Sequence, residues 1–332
     1  MKVNMKQISE LTGVSTATVS NALNFKRGVN ADTAARILRV AKELGYLDES
    51  RITKVKFVTF KRNGSVVEDT PFFPLMLTGI EHACRENGMD MVLSSLDMRD
   101  GDYSEQVQSL LSDKSSAIVM LGTEMMAEDI GLVRSITNPF VVIDYWNGDM
   151  SFDSVQINNE DSVLCATRYL IRKGHTKIGY LKGNFRITSF KDRGKGYRSA
   201  MRHAGIPIVE EYMLEVGTTI DSACAGMKEH LKRGVDLPSA FIADNDLIAL
   251  GAMKAMTERG IRIPEDVSII GFDDLPYAAV ASTPLTTVHV PKQEMGRIVA
   301  GRLMELIKGN TAPVKIQVST SFVERSSVQT LK

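Results

Sequence analysis

The sequence predicts an α/β protein: a small N-terminal unit of three helices, then two lobes, each built on a doubly wound parallel sheet. Three observations predict it. Apolar residues up to Gly45 recur at helical spacing, with no strand pattern among them. From Val55 onward, short runs rich in Val and Ile alternate with helical patterns, as strands do with crossover helices. And 332 residues are enough for two or three folded units, at about 100–200 residues each.

The N-terminal unit comes first. Asn4 is placed to N-cap a helix with Ile8 and Leu11 on its inner face, and Gly13 to end it in the left-handed conformation. Ser15 caps a second helix over 16–24, in the stretch GVSTATVSNALN. A third runs from after Asn30 to about Leu44, with Ile37, Leu38, Ala41 and Leu44 on one side, and Gly45 stops it. Two short helices joined by a tight glycine turn have helix-turn-helix geometry. The second helix keeps Val14, Val19, Ala22 and Leu23 for packing and offers Thr16, Ala17, Thr18, Ser20 and Asn21 outward. Short polar side chains on one face suit phosphates and base edges in a major groove, and Asn pairs in bidentate fashion with adenine. Lys26 and Arg27 in the next loop are placed to neutralise phosphates. A plain three-helix bundle whose Ser and Thr serve only as caps fits the same spacing.

Charge adds to this reading. The chain is neutral overall, but residues 1–56 hold ten Lys and Arg against five Asp and Glu, and the remainder thirty against thirty-five. A basic head on an acidic body points to an anionic partner such as nucleic acid; a solvated surface bias accounts for the same numbers.

The body follows. VKFVTF, MDMVLSS, SAIVML, FVVIDY, KIGYLKG, SAFIAD and SIIGFDD read as strands, and LMLTGIEHACRENG, YSEQVQSLLSD, SVLCATRYLIRKG and DLIALGAMKAMTERG as helices between them. In such folds ligands sit at the carboxyl ends of strands, so two facing lobes place a site in the cleft. Polar residues just after strands are Asp273 and Asp274, Asn245 and Asp246, and Arg193 beyond IGYLKG; Phe72 and Phe73 follow the first strand and its loop. Aromatic faces with Asp, Asn and Arg suit a sugar or a nucleobase. Asp246 reads rather as the cap of its helix.

Several classes are set aside. No G-x-G-x-x-G follows a strand and no P-loop is present, against a dinucleotide or nucleotide-triphosphate enzyme. No Ser sits in a G-x-S-x-G elbow, and no nucleophile–base pair stands out. The five histidines are scattered; His82 and Cys84, two apart on a helix, do not share a face. Three distant cysteines make no metal or disulfide pattern. We therefore expect no catalytic residues, metal or cofactor. The N-terminus lacks a secretory apolar core and no run reaches the length of a membrane span, so a reducing cytoplasm is expected.

The stretches MKQISELTGVSTATVSNALN and VNADTAARILRVAKELGY resemble the DNA-binding head of the lactose-repressor (LacI/GalR) family. By that resemblance Thr16, Ala17 and Asn21 take base-reading positions, and Ser15, Thr18, Ser20 and Asn24 phosphate-contacting ones; Asn4 is counted among the DNA-binding residues as well. Asn21 stands where many relatives carry Arg, which shifts the preferred base from guanine towards adenine. The body resembles the same family over 57–332, in GHTKIGYLKG, RGKGYRSAM, NDLIALGAM, IPEDVSIIGFDD, TPLTTVHVPKQEMG and FVERSS. The implied body is a periplasmic-binding-protein-like pair of lobes crossed near 173, 290 and 319. This gives a head at 1–47, a linker at 48–56, a first lobe at about 57–172 and 291–318, and a second at about 173–290 and 319–332. By motif position Arg193, Asn245 and Asp273 bind effector, Phe72 matches an aromatic at the cleft mouth, and Asp161 a further polar position.

Two departures from the family matter. Its Tyr-x-Pro-Asn step and hinge helix, with a Leu wedged into the minor groove, have no counterpart in GYLDESRITKVKFVTF. Asp48 and Glu49 stand where Pro-Asn is expected and Ile52 is the one apolar candidate, so 48–54 reads as a tether. Second, Thr219 in EVGTTIDS replaces an aromatic that stacks on the effector in many relatives. Tyr145, Trp146 or Phe190 is then needed for that role; Trp146 reads equally as a loop aromatic. The family implies a homodimeric transcription regulator, a repressor, bound to double-stranded operator DNA and controlled by a sugar-like effector. A solute receptor is the alternative that the body alone permits.

Overall fold

The computed structural model describes residues 4–23, 29–44, 52–68, 70–148, 151–310 and 312–331. Contacts divide the chain into a head, 1–54 with the short segment 112–116, and a body, 55–111 with 117–332. Asn24, Lys26 and Arg27, and residues 45–51, which include Asp48 and Glu49 of the expected linker 48–56, lie outside the described residues; 54–56 of that linker are already in the first strand.

The head holds α1 (Met5–Thr12), α2 (Thr16–Leu23) and α3 (Ala31–Glu43). Asn4 caps α1 in a box with Gln7: its side chain accepts from the Gln7 amide at 3.1 Å and its own amide donates back to Gln7 at 2.9 Å. Gly13 ends α1 at φ 66°, a conformation that disfavours side chains. The Ser15 hydroxyl accepts from the Thr18 amide at 3.1 Å and so caps α2. The core is Ile8, Val19, Ala22, Ile37 and Ala41, flanked by Val14, Leu23, Val29, Ala34, Val40 and Leu44. Two expected core residues are not in it. Leu11 is 64% exposed, because α1 turns Ile8 and Thr12 inward, and Leu38 is half-buried outside the cluster.

In the body's first lobe come β1 (Lys54–Lys61), α4 (Phe72–Glu86), β2 (Asp90–Asp97), α5 (Tyr103–Ser112), β3 (Ser116–Leu121), α6 (Ile130–Ser135), β4 (Phe140–Ile143) and β5 (Asp153–Ile157). The second lobe has α7 (Asn159–Arg172), β6 (Ile178–Gly183), α8 (Thr188–His203), β7 (Met213–Val216), α9 (Ile220–Lys232), β8 (Ala240–Ala243), α10 (Asp246–Thr257), β9 (Ser268–Ile270), α11 (Pro276–Val280) and β10 (Thr287–His289). The chain then returns through α12 (Lys292–Ile307) and β11 (Lys315–Val318) and ends past β12 (Ser321–Val323). One sheet runs β11-β5-β4-β3-β1-β2, the other β7-β6-β8-β9, and β10 pairs with β12 in a two-stranded antiparallel ribbon. The pairs β11–β5, β5–β4 and β4–β3 and all pairs of the second sheet are parallel, which requires crossover helices and buries both sheet faces.

The first crossing lies earlier than the sequence reading placed it. α7 packs on α8 and touches β8, so it belongs to the second lobe. The chain changes lobe at Asn158, between β5 and α7, and not near residue 173. Return is by Val290–Pro291 into α12, which packs on α4, β4 and β5. The third passage is Ser319–Thr320, between β11 in the first sheet and β12 beside β10. Among the described residues no helix is long and apolar enough to cross a membrane.

Candidate DNA-reading face and effector cleft

On α2 successive residues turn by about 100°. Thr16, Ser20, Ala17 and Asn21 therefore form one stripe, opposite Val19, Ala22 and Leu23. Thr16, Ala17 and Asn21 are exposed, while Val19 and Ala22 are buried. Ser20, between Thr16 and Ala17 on the stripe, and Thr18, at its edge beyond Asn21, are half-buried, with the Thr18 hydroxyl 2.9 Å from that of Ser15.

In the body, a cleft is lined by Val66, Thr70, Phe72, Phe73, Thr123 and Asp144 from the first lobe and Ile187, Phe190, Arg193, Asn245 and Asp273 from the second. Of the residues expected there, Phe72, Phe190, Arg193, Asn245 and Asp273 line it. Arg193 is the floor. Its Nε donates to Asn159 Oδ1 at 2.9 Å and its Nη1 to the Asp244 carbonyl at 2.5 Å. The guanidinium lies 3.7 Å from the Phe272 ring centroid, and Nη2 is 3.6 Å from Asp273 Oδ1. Asn245, and not Asp246, caps α10 by accepting from the Ile248 amide at 3.0 Å. Asp246 instead accepts from the Leu275 amide and the Thr287 hydroxyl, at 2.7 and 2.6 Å, and so ties down the loop that carries Asp273.

Three expected residues lie elsewhere. Tyr145 is buried in the first-lobe core, its hydroxyl donating to the Met126 carbonyl at 3.0 Å. Trp146 is half-buried beside the Lys315 ammonium, 5.7 Å from its ring. Both follow Asp144, which takes φ 57° and so redirects the chain. Asp161 is exposed in the first turn of α7 and accepts from the Asn158 side chain at 2.7 Å. Thr219 caps α9 by accepting from the Ser222 amide at 3.2 Å.

Sequence reasoning missed Asp144, Thr123 and the loop that forms the cleft mouth. Asp144 accepts from Thr123 at 2.8 Å within its own lobe and from Ser189 at 2.9 Å across the cleft. A second bond across the cleft runs from the Thr218 hydroxyl to the Ser65 carbonyl, at 2.6 Å. Asp144, Asp273 and Asp274 are the non-glycine residues with positive φ among those described. Such backbone costs about 1–3 kcal/mol each and gathers at functional sites. Burial raises the Asp144 carboxyl, and pushes Asp273 up to about 6 despite the opposing charges of Arg193 and Lys292.

Buried Glu124 builds the mouth. Its Oε2 accepts from the amides of Arg62, Asn63 and Gly64 at 2.9, 3.0 and 2.9 Å. Its Oε1 accepts from those of Val66 and Val67 at 2.9 and 3.3 Å. Consecutive backbone N–H groups wrapped on an anion form a nest, here filled by the chain's own carboxylate. Gly64, at φ 75°, allows the curl. The nest fixes Val66 in the cleft wall and Ser65 opposite Thr218. Only its distance in sequence hid it: nothing near Glu124 announces loop 62–67.

Aromatic walls with carboxylates, a guanidinium and an amide suit a ligand rich in hydroxyls. Comparison with known proteins agrees in kind. Residues 4–48 match the model of bacterial regulatory proteins of the lacI family, and 167–328 that of a periplasmic binding protein-like domain. The chain is 30% identical to the ribose operon repressor of Haemophilus influenzae, over 99% of both chains. It is 31% identical to the HTH-type transcriptional repressor PurR of Vibrio atlanticus, over 98% of this chain and 99% of that one. A solved complex of the transcriptional regulator CelR with cellobiose superposes with a TM-score of 0.74 at 29% identity, covering 98% of this chain and all of the other.

Proposed function

The chain belongs to the LacI family of bacterial regulatory proteins, and from that premise we propose a cytoplasmic, homodimeric repressor whose hold on operator DNA is set by a sugar-like effector in the cleft. The observation that carries the proposal is the exposed stripe Thr16–Ala17–Asn21 on a capped, well-packed α2, in one polypeptide with a cleft floored by Arg193 and Asp273. Thr16 and Asn21 read base edges, Ala17 meets a thymine methyl, and Asn21 selects adenine. Ser15, Thr18 and Ser20 hold phosphates, joined by Asn24, Lys26 and Arg27. A two-fold dimer presents two heads to a pseudo-palindrome.

In the cleft, Arg193, Asn245, Asp144 and Asp273 take the hydroxyls of the effector, and Phe72 and Phe190 its apolar face. Two relatives support a sugar: the ribose operon repressor, and CelR in complex with cellobiose. Effector binding changes the lobe angle and shifts the population between DNA-competent and incompetent forms. We assign the chain no catalytic role.

Fluorescence anisotropy tests this with the DNA upstream of its own gene, scrambled DNA of the same composition, and a random-sequence selection. We expect a specific site, and a 5- to 150-fold loss there in Asn21→Ala, the equivalent of about 1–3 kcal/mol for one bidentate contact. Failure of the selection to enrich any palindrome, with and without a sugar panel, overturns the reading and favours a solute receptor.

A further inference from the structure

A second hollow, of about 430 Å³, lies away from the cleft. It is lined by Asn158, Asp161, Ser162 and Cys165 from the start of α7, Val288 from β10, and Ser319 to Phe322 from the third passage and β12. All three passages between the lobes border on it or lie within two residues of it. Asn158 faces this groove while its neighbour Asn159 holds Arg193 in the cleft. Val288 faces the groove while its carbonyl accepts from the Asp273 amide at 2.9 Å. The hinge is thus a thin partition, with the cleft on one side and the groove on the other.

The size is that of a small-molecule site. The lining has four hydroxyls, an amide, a thiol and two apolar side chains, and Asp161 is its one charged group. Asp161 is exposed and not ion-paired in any contact found among the described residues. The Phe322 ring is 37% exposed and packs 4.6 Å from Tyr169. The Lys173 ammonium lies 5.2 Å from the Tyr169 ring and pairs with Glu324 at 3.2 Å.

We propose that the groove is a second ligand site, distinct from the cleft, for a small organic cation with a primary ammonium on a short alkyl stem. The ammonium pairs with Asp161, its other N–H groups meet the hydroxyls of Ser319 to Ser321, and the stem lies on Phe322 and Val288. The Ser162 and Thr320 hydroxyls, 2.7 Å apart, join α7 to the third passage at the floor. A ligand there touches both sides of the hinge, so its binding and that of the effector are reciprocally linked.

Isothermal titration of the full chain, free of DNA, with putrescine and with uncharged 1,4-butanediol tests the site. We expect saturable binding of putrescine at one site per chain and none of the diol. Asp161→Asn and Cys165→Trp, which fills the groove, should each weaken binding at least tenfold. Asp273→Asn, in the cleft, should leave it within twofold. Hydrogen exchange at 158–165 reports the same occupancy without any variant, by slowing as putrescine is added. Absence of saturable heat, equal binding in Asp161→Asn, or loss only in Asp273→Asn overturns the proposal. The last outcome would place the cation in the cleft and would count against a sugar effector as well. Absence of binding leaves the repressor reading intact.

Discussion

Glu124→Gln keeps the shape of the side chain but puts a donor where an acceptor was. If the amide oxygen faces Arg62, Asn63 and Gly64, the NH₂ faces the amides of Val66 and Val67, and two donors lose their acceptor. The opposite rotamer orphans three. Each buried donor left without a partner costs about 1–3 kcal/mol. The smaller loss is therefore at least about 2 kcal/mol, and the loop escapes a larger one by opening. It stays tethered elsewhere: Arg99 donates to the Asn63 carbonyl at 3.0 Å, and Arg62 pairs with Asp129 at 2.6 Å. The expected result is a local opening and not global unfolding. Hydrogen exchange reads it directly, since protection measures the opening free energy. The amides of 62–64 and 66–67 should exchange about 30-fold faster, at tenfold per 1.4 kcal/mol, while β4 and β8 keep their protection. The intrinsic grip on the effector should weaken, because Val66 leaves the cleft wall, while loss of the Ser65–Thr218 bond favours the open form. Wild-type exchange at 62–67 in Glu124→Gln would refute the claim that this carboxylate builds the mouth.

Arg193→Met removes a buried cation that neighbours Asp144, Asp244 and Asp273. Breaking a buried pair on one side costs about 3–5 kcal/mol, so its urea midpoint should fall well below that of wild type; an unchanged midpoint argues against Arg193 as the keystone of the floor. Burial and the Asp273 charge push the Asp246 carboxyl up to about 8, well above the ordinary aspartate value of 3.8. The folded state then holds a proton that the unfolded state has released, so stability falls as pH rises from about 4 to 8 and is level above. Asp97 and Asp266, held down to about 2 by Arg99 and Arg262, act only below that window. Urea midpoints taken from pH 5 to 8 should decline in wild type and stay flatter in Asp246→Asn; parallel profiles would exclude Asp246 as the source. In the head, Asn4→Ala loses the α1 cap and should lower stability by about 1 kcal/mol, seen as a lower melting midpoint of the head in circular dichroism.

The local signals in the sequence proved reliable. Asn4, Gly13 and Ser15 act through their own neighbours within three or four residues, and they end or start helices where the sequence says. The longer Val and Ile runs became strands for the same reason. The strands β5, β7, β10, β11 and β12 escape the pattern because polar residues such as Asp153, Glu215 and Gln317 interrupt them, whereas β4, β8 and β9, no longer than these, belong to unbroken apolar runs. The lobe to which α7 belongs cannot be read from its amphipathic pattern, because either sheet would bury the same face. Arg193, Asn245 and Asp273 were found as polar residues beyond strand ends. Tyr145 was mistaken for a cleft residue because left-handed backbone at Asp144 reverses the alternation that would aim it there. Glu124 and Ser189 act on partners dozens of residues away, and no local pattern records such pairs.

The cleft as folded leaves a hollow of about 30 Å³, room for little more than a water molecule or two. An effector of more than a few atoms therefore enters only through a more open arrangement, and opening parts Thr218 from Ser65 and Ser189 from Asp144. Two hydrogen bonds of ordinary net strength amount to about 1–3 kcal/mol, which makes the apparent dissociation constant 5- to 150-fold weaker than the intrinsic one. The dose at which the switch responds is thus the product of two separable quantities, the grip on the ligand and the fraction of time the door stands ajar. Ser189 and Thr218, whose hydroxyls make these bonds, tune the second; Ser65 takes part only through its main-chain carbonyl. A lineage that meets its effector at a different concentration can reset its threshold at these two hydroxyls and keep the same chemical taste.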